Sequence, residues 1–338
     1  MPTNERIYSY LINMAYVFGP IAIAVPSAVA FKIYMKLTTR WNRCYTCLVG
    51  ETVIVTGANT GIGYYTALDF AKRGARVILA CRNKDRAETA LKKIVEISGN
   101  QNVVYKLVDM ASLQSVRDFA KDINSNEDRL DILVNNAGIG TQTEDYTKDG
   151  IQTILQVNHI AGFLLTHLLI DKLKKTGGAR VVNVASVVAA LASLTPAKIN
   201  RINKALSPTI FLSDMYYNSK LCNILCTIEL AKRLRGTSVT VNALHPGVIS
   251  TDFFREMPRY VQVCVKIMGS LFLLTPEEGA QTQIYVAVSK DVANISGGLF
   301  SNCRNIQIYR KARNPDLIQK VWTVSEDLAK LSDTEKIK

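Results

Sequence analysis

Two kinds of patterning divide this chain. Residues 7–31 (IYSYLINMAYVFGPIAIAVPSAVAF) carry no charged side chain, and Lys32, Lys36, Arg40 and Arg43 follow closely. A helix of that length would reach about 37 Å, enough for the roughly 30 Å hydrocarbon core of a bilayer. Gly19, Pro20 and Pro26 would kink it, which membrane helices tolerate better than soluble ones. From residue 51 the pattern changes to short β-branched runs alternating with longer mixed stretches. TVIVTGANTGIG (52–63) is an apolar run that stops at a glycine-rich turn, ALDFAKRGA (67–75) reads as a helix ending at Gly74, and RVILACR (76–82) is a second strand. Further strands are expected in NVVYKLVDM (102–110), LDILVNNAG (130–138), ARVVNVAS (179–186) and SVTVNALHPG (238–247). Strands and helices in alternation predict an α/β fold with a parallel sheet covered on both faces. The expected division is a membrane anchor with its basic flank over 1–45 and a globular domain over 46–338.

Strand, glycine turn, helix and strand make a βαβ unit, the opening of a single Rossmann-type, doubly wound sheet. Gly57, Gly61 and Gly63 let the backbone turn tightly and approach a ligand. The helix beyond them would turn unpaired N–H groups and a positive dipole end toward a pyrophosphate. Arg82 and Asn83 come where the second strand ends, a place where NAD sites often carry a carboxylate. Arg82 offers a cation to a 2′-phosphate instead, so NADP(H) is expected over NAD(H). Ligands of such sheets bind at the carboxyl ends of the strands, where Asp109, Asn135 to Gly138, Ser186, Pro246 and Gly247 fall.

The stretch MYYNSK (215–220) places two tyrosines ahead of a lysine. On a helix Tyr216 is four residues from Lys220 and Tyr217 three, so both can face it. Spacing alone allows either a buried aromatic beside a snorkelling lysine or a proton donor with its cation.

A chain of 338 residues, 48% hydrophobic, can bury a substantial core. Its net charge of +13 suits nucleic acid, an anionic membrane surface or an anionic cofactor. With no long Lys/Arg block, zinc-finger spacing or aromatic-basic RNA pattern, nucleic acid is the weakest of the three, and no nucleic-acid partner is expected. Seven scattered cysteines do not form a disulfide framework. Cys44 and Cys47 make a CxxC with no second pair or nearby histidines, so no metal site is expected. They follow a hydrophobic segment, where palmitoylation is one use and ordinary thiols the other. Ala28-Val29-Ala30 resembles a signal-peptide cleavage site, but the positive flank after residue 31 favours an uncleaved anchor with the domain in the cytosol. The endoplasmic reticulum is the expected membrane, with mitochondrial and lipid-droplet membranes as the others.

Together these residues resemble the short-chain dehydrogenase/reductase family, over about residues 50 to 310. TGANTGIG is similar to its cofactor turn, NNAG to its sheet-stabilising motif, YYNSK to its Tyr-x-x-x-Lys and HPG to its late cofactor loop. GANTGIG, ACRN, LQVNHIAGFLLT, KLCNILCTIELAKRL and TPEEGAQTQIY are similar to the retinol dehydrogenase branch, whose members carry an N-terminal anchor and often prefer NADP(H). The resemblance implies that Tyr216 is the proton donor, that Lys220 also holds the nicotinamide ribose, and that Asn158 sits at a helix bend in a proton relay. It implies cofactor contacts at Gly57, Asn59, Thr60, Gly61, Ile62, Gly63, Arg82 and Asn83, with Asp109 near the adenine. Asn136, Ala137 and Gly138 would line the cofactor, and Pro246, Gly247 and Thr251 would close over its nicotinamide end. Ser186 would polarise the substrate oxygen. A free phenol has a pKa near 10, and a neighbouring ammonium is expected to lower it.

The family commonly has two serines before the pocket; here the pair is Ala185-Ser186. Residues 187–214 intervene before the tyrosines and are expected to form pocket wall and flap. Residues 253–274, rich in large apolar side chains with scattered Arg and Lys, read equally as an interfacial amphipathic helix or a substrate-pocket helix. The expected activity is interconversion of a lipophilic alcohol, retinol first, and its aldehyde or ketone. The alternatives are a sterol or other lipid carbonyl reductase, and a nucleotide-binding membrane or lipid-droplet protein with idle chemistry. Membrane lipid is an expected partner, and a homodimer is open.

Overall fold

The structure, a computed structural model, describes residues 36–140, 145–204, 214–249 and 273–337, together with 27, 30 and 32–34. Most of the uncharged N-terminal segment, the far part of the expected flap (205–213), Thr251 and all but the end of 253–274 lie outside the described residues.

The expected βαβ opening is present. β1 (Thr52–Thr56) leads through the glycine turn into α1 (Gly61–Lys72), which begins earlier than the apolar pattern alone marked, and then into β2 (Arg76–Cys81). Next come α2 (Lys84–Ser98), β3 (Val103–Leu107), α3 (Leu113–Asn126) and β4 (Ile132–Asn135). α4 (Thr153–Thr176) contains a π-turn at Gln156–Ile160 and leads to β5 (Arg180–Val184). After short 3₁₀ turns at Val187–Leu191 and Pro196–Arg201 come α5 (Asp214–Arg233) and β6 (Thr240–Leu244). α6 (Pro276–Val288), β7 (Leu299–Ser301), β8 (Arg304–Ile306) and α7 (Pro315–Leu328) complete the order.

The sheet runs β3-β2-β1-β4-β5-β6-β7-β8. It is parallel through β7, and β8 returns antiparallel at the edge, a strand the sequence pattern did not announce. All five residues of β1 are buried, because both faces of the sheet are covered. Side chains alternate across it: Val53 and Val55 join the layer under α1, α2 and α6, while Ile54 joins the layer under α3, α4 and α5. α4 is long and apolar enough to cross a membrane, yet 78% of its most apolar window is buried inside the protein. It is a core helix. The strands are shorter than the apolar runs, so the last residues of those runs form loops at the carboxyl edge.

Candidate active site

A cleft of about 420 Å³ opens along that carboxyl edge. At one end lies the glycine turn. Gly57 and Gly61 have φ of +66° and +60°, a left-handed backbone that other residues strain to adopt. Gly63 has ordinary backbone but no room: a Cβ there would stand 2.5 Å from Asn136 Nδ2 and 2.6 Å from the Gly57 carbonyl oxygen. The missing side chain therefore brings α1 against the turn. The first turn of α1 carries no acidic residue, so no carboxylate there offsets the positive end of its dipole. The side chain of Asn136 braces the turn, with Nδ2 donating to the Thr56 carbonyl at 2.7 Å. Thr56, a residue the motif reading passed over, accepts the N–H groups of Asn136 and Ala137 on Oγ1, each at 2.9 Å. It precedes Gly57 directly, and its hydroxyl was the available signal.

Asn59, Thr60, Ile62, Arg82, Asn83 and Asp109 all line the cleft. Two of them are also engaged in the chain's own turns. Asn83 Oδ1 accepts the Arg86 N–H at 2.9 Å and caps α2, and Asp109 Oδ1 accepts the Ala111 N–H at 3.0 Å. Arg86 lines the cleft beside Arg82 as a second cation that sequence reasoning missed. Its place one helical turn after Arg82 was the clue.

Asn158 lies in the π-turn of α4. Its side chain clamps the loop after β4: Oδ1 accepts the Ile139 N–H at 2.7 Å and Nδ2 donates to the Ile139 carbonyl at 2.9 Å. Its own carbonyl accepts from Asn223 Nδ2 at 2.9 Å. Gly138 passes so close that a Cβ would stand 3.2 Å from Lys220 Nζ and 3.4 Å from Asn158 Oδ1.

α5 places the two tyrosines differently. Tyr216 lines the cleft, whereas Tyr217 packs against the apolar core and meets the Tyr216 ring edge-on, 6.4 Å between centroids. The Tyr216 phenol is hydrogen-bonded to Ser186, which follows β5 and caps the 3₁₀ turn after it. Lys220 Nζ donates to the Val184 carbonyl at 3.0 Å and lies 5.8 Å from the Tyr216 ring centroid. The electrostatics differ from expectation. Burial pushes the Tyr216 phenol up to about 12 despite the Ser186 hydrogen bond, and burial pushes the Lys220 ammonium down to about 8. In the protein alone desolvation outweighs any acidification of the phenol by the lysine.

The remaining wall is apolar, with Ile139, Val157, Val187, Val188, Val248 and Ile249. Pro246 and Gly247 enter the cleft after β6. Gly247 has φ +87°, and a Cβ there would stand 2.7 Å from Leu274 Cδ1. Burial pushes His245, His159 and His167 down to about 4, so all three are neutral near neutrality.

Residues 51–196 match a family profile described as short chain dehydrogenase. The chain is 41% identical over 283 residues to retinol dehydrogenase 11 of Mus musculus, covering 83% of this chain and 87% of that one. It is 40% identical to dehydrogenase/reductase SDR family member 13 of Bos taurus, covering 85% and 75%. Among solved structures, an uncharacterised protein from Mycobacterium paratuberculosis superposes with a TM-score of 0.65 at 28% identity, over 85% of this chain and 96% of that one. L-sorbose reductase from Gluconobacter frateurii, solved with NADPH and L-sorbose, shares the fold with a TM-score of 0.62 at 21% identity, over 76% and 96%.

Proposed function

The chain belongs to the short-chain dehydrogenase/reductase family, in its retinol dehydrogenase branch, and on that premise we propose that it is an NADP(H)-preferring oxidoreductase of lipophilic alcohols and their aldehydes or ketones, retinol and retinal first among them. The observation that carries this reading is the meeting of the Tyr216 phenol, the Ser186 hydroxyl and the Lys220 ammonium on the wall of a cleft whose far end is the glycine turn. A nicotinamide dinucleotide bound there would supply or accept the hydride. The turn from Gly57 to Gly63 fits its pyrophosphate, and Arg82 a 2′-phosphate. Asp109 would lie toward the adenine, Asn136 to Gly138 along the middle, and Lys220, Pro246 and Gly247 toward the nicotinamide; Thr251 lies outside the described residues.

The chain's own groups handle the proton. Tyr216, held protonated by burial, gives its phenolic proton to the substrate oxygen in reduction and takes one in oxidation. Ser186 donates a hydrogen bond to the same oxygen and stabilises its developing charge. Lys220, still largely protonated near neutrality, puts a positive charge beside the phenolate once it forms. Asn158 positions both the loop after β4 and the helix bearing Lys220, through Nδ2 donating to Ser219 Oγ at 3.1 Å. The apolar wall excludes water and suits a lipophilic substrate. In this reading residues 7–31 anchor the domain on the cytosolic side of a membrane, the endoplasmic reticulum first, as the lysines and arginines after the segment require.

A panel of retinoid, sterol and fatty carbonyls offered to the purified protein with NADPH or NADH tests the proposal. Oxidation of NADPH with retinal is expected, and strong preference for NADH would overturn the Arg82 argument. Tyr216→Phe should keep cofactor binding and lose about 100-fold or more in turnover. Unchanged turnover in that variant would reject the mechanism, and an inactive wild-type protein across the panel would favour the idle nucleotide-binding reading.

A further inference from the structure

We infer that the carboxyl edge of the sheet, where the cleft opens, is the face turned to the lipid bilayer, and that residues 38–48 are a strap holding it there; the inference rests on the membrane-anchor reading above. Residues 39–48 have no regular structure but alternate in burial. Asn42, Cys44, Thr46 and Leu48 turn inward, while Trp41, Arg43, Tyr45 and Cys47 face out. The strap is bonded along its length. At its start Asn302 Oδ1 accepts the Arg40 N–H at 2.7 Å, and Asn302 Nδ2 donates to the Thr38 carbonyl at 2.8 Å. Midway the Asn42 N–H donates to Gln281 Oε1 at 3.2 Å. At its end Thr46 Oγ1 donates to the Val288 carbonyl at 2.8 Å, and Arg73 Nη1 donates to the carbonyls of Cys44 and Thr46 at 2.7 and 3.1 Å.

Topology fixes which end is which. β7 is parallel to β6, so the turn after Ser301 stands on the carboxyl edge, and that turn holds Asn302. α1 starts on the same edge at Gly61, so Arg73, just past its last turn, stands on the opposite one. The chain therefore joins the domain at the edge where the cleft opens and crosses to the amino edge before entering β1. Asn302 and Cys303 have φ of +49° and +53°, a left-handed pair that a residue such as Cys adopts only under strain. The strain is kept where the turn receives the strap, with Cys303 Sγ reaching the Arg40 carbonyl at 3.6 Å.

A membrane segment ending at residue 31 leaves seven residues to Thr38, at most about 25 Å of extended chain and about 10 Å of helix. The carboxyl edge is thus tethered close to the bilayer surface. It presents side chains that suit that surface: Val248 on the cleft lining is 56% exposed, Leu191 at the end of the 3₁₀ turn that follows β5 is 67% exposed, and Leu37 on the approach is 81% exposed. Lys32, Lys36, Arg40 and Arg43 on the same stretch complement anionic headgroups. A lipophilic substrate would then enter the cleft from lipid without crossing water.

The test uses the full chain in vesicles of phosphatidylcholine and phosphatidylserine whose acyl chains carry bromine, which quenches tryptophan by contact. Leu191→Trp should be quenched beyond wild type, and Lys175→Trp, an exposed position at the amino edge end of α4, should not. Flotation separates the two readings. A protein that does not float with vesicles sinks the anchor and this inference together. A protein that floats but shows equal quenching at both positions, or more at 175, sinks this inference alone. Asn302→Ala removes two strap hydrogen bonds and should lower the docked fraction by about tenfold or more. It should abolish the extra quenching of Leu191→Trp and raise KM for a bilayer-dissolved carbonyl while leaving a water-soluble aldehyde unaffected. Retained quenching in that double variant would overturn the role of the strap.

Discussion

The buried lysine gives a stability signature that can be worked out in advance. Lys220 is only 4% exposed, and burial brings its ammonium down to about 8. In the unfolded chain the same group titrates near 10.4. Below pH 8 it is charged in both states, and the native state bears the full cost of the buried charge. Between the two values the unfolded state holds the proton and the native state does not, so stability rises with pH by about 1.4 kcal/mol per unit. Above the unfolded value the cost is gone, a total of about 3 kcal/mol. Lys220→Met removes this titration and opens no buried hole in the hydrogen bonding, because the Val184 carbonyl still accepts from Asn223 Nδ2 at 3.1 Å. Urea unfolding of both proteins from pH 7 to 11 provides the assay. Subtracting the variant from the wild type cancels groups that titrate alike in both. The wild type should gain about 3 kcal/mol on the variant between pH 8 and 10.4, while the variant is catalytically dead throughout. A pH-independent difference would show that Lys220 is solvated or paired in the native state, and the account of the site's electrostatics would fall.

Arg82→Ala should weaken NADPH by about 1.5–3 kcal/mol, read as Kd by fluorescence titration, and leave NADH nearly unchanged. Arg86→Ala should act in the same direction and more weakly, since its side chain is the second cation on that wall. Gly63→Ala drives a methyl against the fixed Gly57 carbonyl and should cost about 1–3 kcal/mol, seen as a lower Tm together with weaker cofactor binding. Glu127 is 4% exposed and accepts from Nε and Nη2 of Arg76 at 2.6 and 2.8 Å. Because Arg76 is itself partly solvated, Glu127→Gln should cost only about 1–2 kcal/mol in denaturant unfolding, with activity unaffected.

Much of this molecule is written in local pattern. The β-branched run into Gly57, the helix after it and RVILAC are short-range features, and each became the element it implied. The Tyr216 and Lys220 pair needed the motif as well as the helical period, since the period admits Tyr217 equally; on α5 the two differ in that Tyr216 lines the cleft and Tyr217 does not. Other features depend on partners remote in sequence. β7 and β8 are three residues each, too short to carry alternation, and their turn uses Asn302 and Cys303 where a glycine would have signalled it. Lys220 bonds a backbone carbonyl, an acceptor that no side-chain pattern reveals. The high phenol pKa follows from how completely the fold encloses Tyr216, a quantity set by every neighbour at once. Asn83 was read only as a strand-end cofactor residue, and its cap bond to the Arg86 N–H emerges from the structure.

The strand order has a consequence during synthesis. β1 pairs with β2 on one side and with β4 on the other. The ribosome delivers β2 almost at once, but β4 only after β3 and two helices have emerged. At 5–20 residues per second, one flank of this wholly buried strand waits on the order of ten seconds for its neighbour. Over that interval the nascent chain carries a bare hydrogen-bonding ladder in the middle of its future sheet, an invitation to pair with another polypeptide. Ribosome-bound chains in which β3 but not β4 has cleared the exit tunnel should accordingly recruit chaperones more strongly than chains in which β4 has cleared it.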